Sequence, residues 1–374
     1  MKNKIIIISL LLFSILKAQA QENDSIPIEN EHKITISGYV DGYLSAYSNN
    51  FPQQEFQPFI TVGARDNSFG LNVAQFGLSY QYKYVRSNLT LHWGDIPKAT
   101  WSKDFNEIQE ANVGVRLMEG LWLDAGFFRT HIGTESFLPK NNLLSSTAFI
   151  TYNEPFYQAG AKLSYDVWEK WYFELWALNG YNNFVDNNDA KSVGALISYK
   201  FSDNASVTYT NIYGRESGDD LDFKQNRFYQ NIYLNKNWNE KVFVSLGFDY
   251  GLQTNSKLEN PDETASMFGG LATLRYQFNP KFSITGRGEI FKDENGFISG
   301  TVENNNGKNV GIELTAFTLG AEYRPMETAY IRAEGRFTNA KDGLDIFLEN
   351  DKLTNHRYEL LLTMGINIEK TFGF

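Results

Sequence analysis

The chain has 374 residues, a formal charge of -10 and no cysteine, which excludes disulfide frameworks, thiolate metal or redox sites and a cysteine-linked lipid anchor, and makes nucleic acid a poor partner. Aromatic residues make up 15% of it, with 21 Tyr, 29 Phe and 30 Gly, yet mean hydropathy is -0.39. Large apolar groups are therefore interspersed with polar ones instead of gathered into the core runs that two or three soluble domains of this total length would need.

In chain order, Lys2 and Lys4 precede the apolar run Ile5 to Leu16, and Ala18-Gln19-Ala20 supplies small residues for a signal peptidase. The run is too short to span about 30 Å of hydrocarbon at 1.5 Å per residue, so residues 1–20 are expected to be a cleaved secretory signal and the mature chain to begin near Gln21. Loss of Lys2, Lys4 and Lys17 makes the remainder more acidic still. "QENDSIPIENEH", residues 21–32, reads as a poorly ordered polar tether on the periplasmic side.

From Lys33 the dominant period is two. Val85, Ser87, Leu89, Leu91 and Trp93 point one way, while Arg86, Asn88, Thr90 and His92 point the other; Val242 to Tyr250 and Phe282 to Phe291 repeat the split. Val, Ile, Tyr, Phe and Thr fill these segments, as strands prefer. About sixteen such segments begin near residues 33, 70, 84, 107, 120, 156, 170, 190, 204, 226, 239, 265, 280, 309, 327 and 356. Their connections alternate: tight links such as "YKYV", "FSDN" and "FNPK", then long polar ones such as "GRESGDDLDFKQN" and "AKDGLDIFLENDKLTN".

A soluble sandwich or propeller with uneven loops could produce the strand spacing but not the regular alternation of loop length. A transmembrane antiparallel β-barrel of about sixteen strands predicts an apolar outer face, a polar inner face, short periplasmic turns and long extracellular loops. Residues 33–374 are assigned to that single domain, with both chain ends on the short-turn side. Trp122, Trp168, Trp171 and Trp238, beside short turns, and Trp93 and Trp101, beside a long loop, are expected in interfacial girdles. Trp176 has the parity of the lumen.

Inward parity selects Arg86, Arg116, Lys162, Lys200, Arg275, Arg287, Arg332 and Arg336, with Asp41, Glu110, Glu174, Asp249, Glu289, Glu322, Glu334, Glu359 and Glu369. Hydrated charges of both signs suit an aqueous lumen, and Arg86, Arg116, Lys162, Arg275, Arg287, Glu289, Arg332, Glu334 and Arg336 are the pore-lining candidates. The densest group is "GRGE" with "IRAEGRF", which reads either as a constriction with a crossed field or as a structural charge ladder. "THIGTESFLPKNNLLSSTAFITYNEP", from Thr130 to Pro155, is the longest connection. Its Phe137, Leu138, Leu143, Leu144 and Phe149 require burial inside the lumen, in an outer cap or against another copy.

Signals for catalysis are sparse. Of four His, only His131 has Ser136 and Glu135 nearby in sequence. "DNNDAKS" and "KDENG" are rich in oxygen donors but lack a full calcium-loop pattern, and read as solvated turns. No catalytic, cofactor or metal site is assigned. "LLLTMGINIEKTFGF" then closes the chain: Leu360, Leu362, Met364, Ile366 and Ile368 face lipid, and Thr363, Gly365, Asn367 and Glu369 face the lumen with Leu361 as an apolar exception. Lys370, Phe372 and Phe374 carry the outward parity to the interface.

"ISGYVDGYLSAYSNN", "NVAQFGLSYQY", "DAGFFRTHIGTE" running into "NEPFYQAGAKLSY", "WALNGYNN" and "RGEIFKDENGF" resemble, in this order, the beta-barrel porins of the OmpL-like type across roughly residues 34 to 374. The resemblance implies an outer-membrane channel for passive diffusion of small hydrophilic solutes, with no cofactor and no universally assigned site residue. The stretch from "FFRTHIGTE" to "NEPFYQAG" is the part that would shape the pore. Partners implied are outer-membrane lipid, the solutes, other copies in a homo-oligomer, and the barrel-assembly machinery, whose recognition signal the terminal Phe372 and Phe374 resemble. A binding or adhesion barrel without an open pore, or a barrel hydrolase, are the alternative functions.

Overall fold

Strands whose two faces differ in polarity must put one against hydrocarbon and one against water. The computed structural model describes residues 31–49, 55–186, 188–219 and 223–374. The expected signal segment and most of the tether lie outside the described residues. The barrel strands are β1 (Lys33–Tyr47), β2 (Ser68–Tyr82), β3 (Val85–Trp93), β4 (Ile108–Met118), β5 (Leu121–Arg129), β6 (Tyr157–Tyr165), β7 (Trp171–Leu178) and β8 (Ser192–Ser202). They continue as β9 (Ala205–Arg215), β10 (Asn226–Trp238), β11 (Val242–Gln253), β12 (Ala265–Asn279), β13 (Phe282–Asp293), β14 (Ile312–Met326), β15 (Ala329–Ala340) and β16 (His356–Gly373).

Each strand pairs antiparallel with its sequence neighbours, and β16 returns to β1 from Lys33 opposite Gly373 to Tyr47 opposite Glu359, closing the barrel. Closure leaves no edge, which a sheet immersed in hydrocarbon cannot tolerate because its unpaired backbone groups would have no water. On β16 the alternation is plain: Leu360, Leu362, Met364, Ile366 and Ile368 are 44–66% exposed on the outer face, while Leu361 and Thr363 are buried inside. Short turns join β2–β3, β4–β5 and every later even–odd pair, and the long connections all lie at the other end.

The strand starts fall within three residues of their sequence positions, and two of the differences have local causes. The β10–β11 turn puts Asn239 and Glu240 at positive φ of 52° and 58°, so β11 begins only at Val242. The alternation read from residue 309 belongs partly to a small hairpin, Val302–Glu303 with Asn309–Val310, which precedes β14. A second hairpin, Phe347–Glu349 with Lys352–Thr354, decorates the β15–β16 connection and turns through Asn350 and Asp351 at positive φ.

Three expectations are corrected. Trp168, Trp171 and Trp238 are 41–55% exposed on the outside, as girdle rings are, but Trp101 is 6% exposed and packs inside the barrel against His92, Phe137 and Tyr157. Trp122 also faces inward, beneath the Arg86 guanidinium at 4.4 Å. A ring beside a turn is close to either face, so turn proximity alone does not decide its direction. The third correction concerns the tether at His32: its backbone exchanges bonds of 3.0 and 3.1 Å with Phe374, and its ring stacks on Tyr82 at 3.8 Å and Phe374 at 5.2 Å. His32 therefore extends the closing pair by one residue.

Candidate solute pathway

The β5–β6 connection, residues 130–156, enters the barrel. Its Phe137, Leu138, Leu144 and Phe149 are buried, and Leu143 is half-buried. A 3-10 turn (Pro139–Asn141) and a short helix, α1 (Phe149–Asn153), shape it. Phe149 and Ile150 join inward residues Met267, Leu271 and Phe291 in an apolar cluster. Gly269 makes the approach possible, since a Cβ there would lie 2.6 Å from Cδ1 of Ile150.

A wall of arginines from β12 to β15 then grips the loop backbone. Arg275 donates to the Leu143 carbonyl. Arg287 donates to the Ser146 carbonyl at 2.6 Å and to Glu135 at 2.9 Å. Arg332 reaches the carbonyls of Pro139 and Asn142 at 2.8 and 3.0 Å, and Arg336 that of Thr147 at 3.2 Å. The acids of the same wall take the loop's amides: Glu289 accepts from Phe149 N at 2.6 Å, and Glu334 from Ser146 N at 3.1 Å and Ser146 Oγ at 2.6 Å. Arg336–Glu289 at 2.9 Å and Arg332–Glu322 at 2.6 Å pair the charges laterally. Carbonyls that lose water on entering the lumen thus regain charged partners, and the buried charges are ion-paired or, for Glu334, hydrogen-bonded by the loop.

Other parts of the loop reach the rest of the barrel. The Thr134 hydroxyl accepts from Asn231 on β10 at 3.1 Å. Lys140 N donates to Tyr39 on β1 at 3.1 Å, and Ser145 and Thr363 of β16 share a hydroxyl bond at 2.6 Å. His131 stacks on Trp176 at 4.9 Å, and its Nε2 donates to the Asn211 carbonyl at 2.9 Å. Burial holds its imidazole below the ordinary histidine range.

Space remains on the side of the lumen away from the arginines. A chamber of about 460 Å³ is bounded by Glu110, Arg129, Lys162, Glu174 and Tyr233 on the wall and by Glu154 on the loop. A second, of about 430 Å³, lies nearer the short turns, among Lys200, Ser206, Asn235, Asn237, Phe243 and Ser245. The two share Thr134, Glu135, Asn141, Asn142 and Asn235. A third space of about 330 Å³ at the long-loop end shares Glu154 and Phe156 with the first. The wall charges facing the first chamber are paired, Arg129 with Glu110 at 3.0 Å and Lys162 with Glu174 at 3.4 Å.

The pore-lining candidates therefore divide. Lys162 lines a chamber. Arg86 pairs with Asp124 and remains 31% exposed, and Arg116 sits near the short-turn rim, bonded to the Met118 carbonyl. Arg275, Arg287, Glu289, Arg332, Glu334 and Arg336 point inward as parity requires, but the loop covers them to 0–8% exposure and none borders either chamber. The expectation of hydrated charges is corrected for these six: they hold the loop. Sequence reading missed Arg129, which ends its strand where alternation no longer fixes direction, and Glu154 and Asn235. The set His131, Ser136 and Glu135 is not assembled, since His131 bonds Gln158 and Asn211, Ser136 Oγ accepts from Leu138 N, and Glu135 pairs with Arg287.

A closed sixteen-stranded antiparallel barrel with an apolar exterior, an inserted loop and polar chambers beside it is the architecture of an outer-membrane porin. The sequence from residue 33 to 368 matches the family described as "Putative beta-barrel porin-2, OmpL-like", and the chain belongs to that family. It is an outer-membrane protein and a channel for passive diffusion. The anion-selective porin from Comamonas acidovorans is similar in structure, with a TM-score of 0.61 at 9% identity, covering 90% of this chain and 100% of that one. The outer membrane channel DcaP of Acinetobacter baumannii gives 0.60 at 9% identity, covering 92% and 100%. OmpT of Vibrio cholerae gives 0.57 at 11%, covering 94% and 100%. At these identities the likeness concerns the fold. No curated protein sequence matches the chain.

Proposed function

We propose that small hydrophilic solutes cross along the β4–β11 side of the lumen, through the two chambers joined at Asn235, and not past the arginine wall. The observation that carries this reading is the contrast between the two sides. The charged groups of the β12–β15 wall are sealed under the loop, whereas the larger polar space is bordered by strands β4 to β11 and, from β12, by Thr273. The transport is non-enzymatic. In planar bilayers the purified chain gives stepwise openings, and Asn235→Trp lowers their conductance by about half or more. Ile232→Trp, on the lipid face three residues away, leaves conductance unchanged. Absence of openings overturns the channel, and equal conductance in all three proteins overturns the route.

In this reading the short turns and both chain ends face the periplasm, residues 1–20 are removed on export, and residues 21–31 form a short tether. The outer face meets outer-membrane lipid, and the barrel-assembly machinery reads Phe372 and Phe374. Both rings support the last role by their position, 48% and 68% exposed at the end of the final strand. Self-association is compatible with the fold: OmpT of Vibrio cholerae also occurs in a structure described as a trimer form.

A further inference from the structure

The second chamber has a property that the first lacks. In the first, the wall charges are spent on each other. In the second, strand register lines up a row of inward residues: Ser206 is opposite Asn235, Asn235 opposite Ser245, and Ser245 opposite Thr273. Among the described residues none offers a hydrogen bond to the side chains of Ser206, Asn235, Ser245 or Thr273. Thr273 Oγ1 is buried without a partner, and so is Oδ1 of the adjacent Asn237. Four strands at about 4.8 Å spacing make this row roughly 14 Å long. Beside it stands Phe243, opposite Asn237 in register and on the inward parity of β11, bordering the same chamber.

The chemistry of the row is two-sided and uncharged. Each amide offers a donor and an acceptor, and each hydroxyl offers both. A sugar hydroxyl has the same double character, and the C–H face of a pyranose ring suits an aromatic face. An ion would need a one-sided set, and the charges here do not provide one: Lys200 and Asp203 at the rim have opposite signs, Lys236 lies over the exposed Trp238 ring at 5.7 Å, and Glu135 is committed to Arg287. We propose that the Ser206–Asn235–Ser245–Thr273 row, with Phe243, is a subsite for neutral polyhydroxylated solutes of mono- to disaccharide size. The proposal rests on the channel reading above and names the solute class for it.

The test uses the full mature chain in planar bilayers with glucose, maltose or sucrose added from the short-turn side. Current interruption by sugar is expected to saturate with concentration, whereas polyethylene glycol of matched mass lowers current without saturating. Asn235→Leu with Ser245→Ala should raise the half-blocking concentration about tenfold, equivalent to 1.4 kcal/mol shared between two hydrogen bonds; Phe243→Leu should raise it several-fold. If sugar acts like the glycol in the wild-type channel, or if saturating block is unmoved by both variants, the subsite does not exist. The wild-type comparison stands even if a variant fails to insert. A chain that shows no openings at all refutes the channel and the subsite together, which separates that failure from loss of the subsite alone.

Discussion

Replacing Arg287 by Met is the sharpest perturbation of the loop. The guanidinium is fully buried, and on the loop side it serves two residues, Glu135 at 2.9 Å and Ser146, through its carbonyl at 2.6 Å and its hydroxyl at 3.3 Å. Methionine fills much of the volume and satisfies neither. Removing one partner of a buried ion pair costs about 3–5 kcal/mol, because the other charge stays dry and uncompensated. The β13 ladder to β12 and β14 does not involve the side chain, and its wall contacts to Glu289 and Thr318 are longer, both 3.4 Å, with Glu289 keeping Arg336, so most of the cost falls on loop docking. At a factor of ten per 1.4 kcal/mol, the docked-to-released ratio drops by about a hundred- to several-thousand-fold. Single-channel recordings should then show larger and noisier openings, and protease should cut within residues 130–155, while heat-modifiable migration on gels stays that of an intact barrel. Adding Glu135→Gln removes the stranded carboxylate and should recover part of the loss. A variant with wild-type conductance and an uncut loop would refute the view that the arginine wall holds it.

Three further outcomes are expected. Gly247→Val places a Cβ 2.7 Å from that of Thr134, so the loop tip must move and conductance should rise; Thr134→Gly in the same chain should reverse the change, and a rise that persists counts against the contact. His131 is held neutral by burial, with Glu174 raising and Lys162 lowering its proton affinity. Its folded value lies below the unfolded one, so its contribution to docking is present above about pH 6.5 and is lost as pH falls through that value toward the docked one. Channel noise should grow on acidification below about pH 6.5 in the wild type and less so in His131→Gln; equal noise in both proteins would exclude this residue. Deleting Phe374 should reduce the heat-modifiable barrel recovered from the outer membrane several-fold, with normal conductance in the molecules that insert; normal recovery would remove the ring from the assembly signal.

The barrel was readable because its signal is local. An alternation such as Val85 to Trp93 needs no distant contact to fix which residues face out, and turn chemistry sets each boundary to within a few residues. The pathway was only half readable for the same reason. Parity places Arg287 and Arg336 inside, but whether they meet water depends on where a loop about 140–190 residues earlier in the chain comes to rest. The apolar residues of that loop announce that it must be buried and do not say against which wall. Asn235 and Ser245 escaped notice because an uncharged polar residue on an inward parity is what any hydrated barrel shows. Only the register that lines them up, and the absence of partners among the described residues, sets them apart.

The loop also touches both sides of the one junction in the barrel that no turn connects. Strands β1 and β16 pair without a connecting turn, and from inside the loop holds β1 through Lys140 on Tyr39 and β16 through Ser145 on Thr363. The insert is thus an internal splint across the seam as well as a narrowing of the pore. It can set only after the last strand has arrived, so the final step of assembly would also be the step that sizes the hole, and a barrel that opened sideways along that seam would lose its narrowing at the same moment.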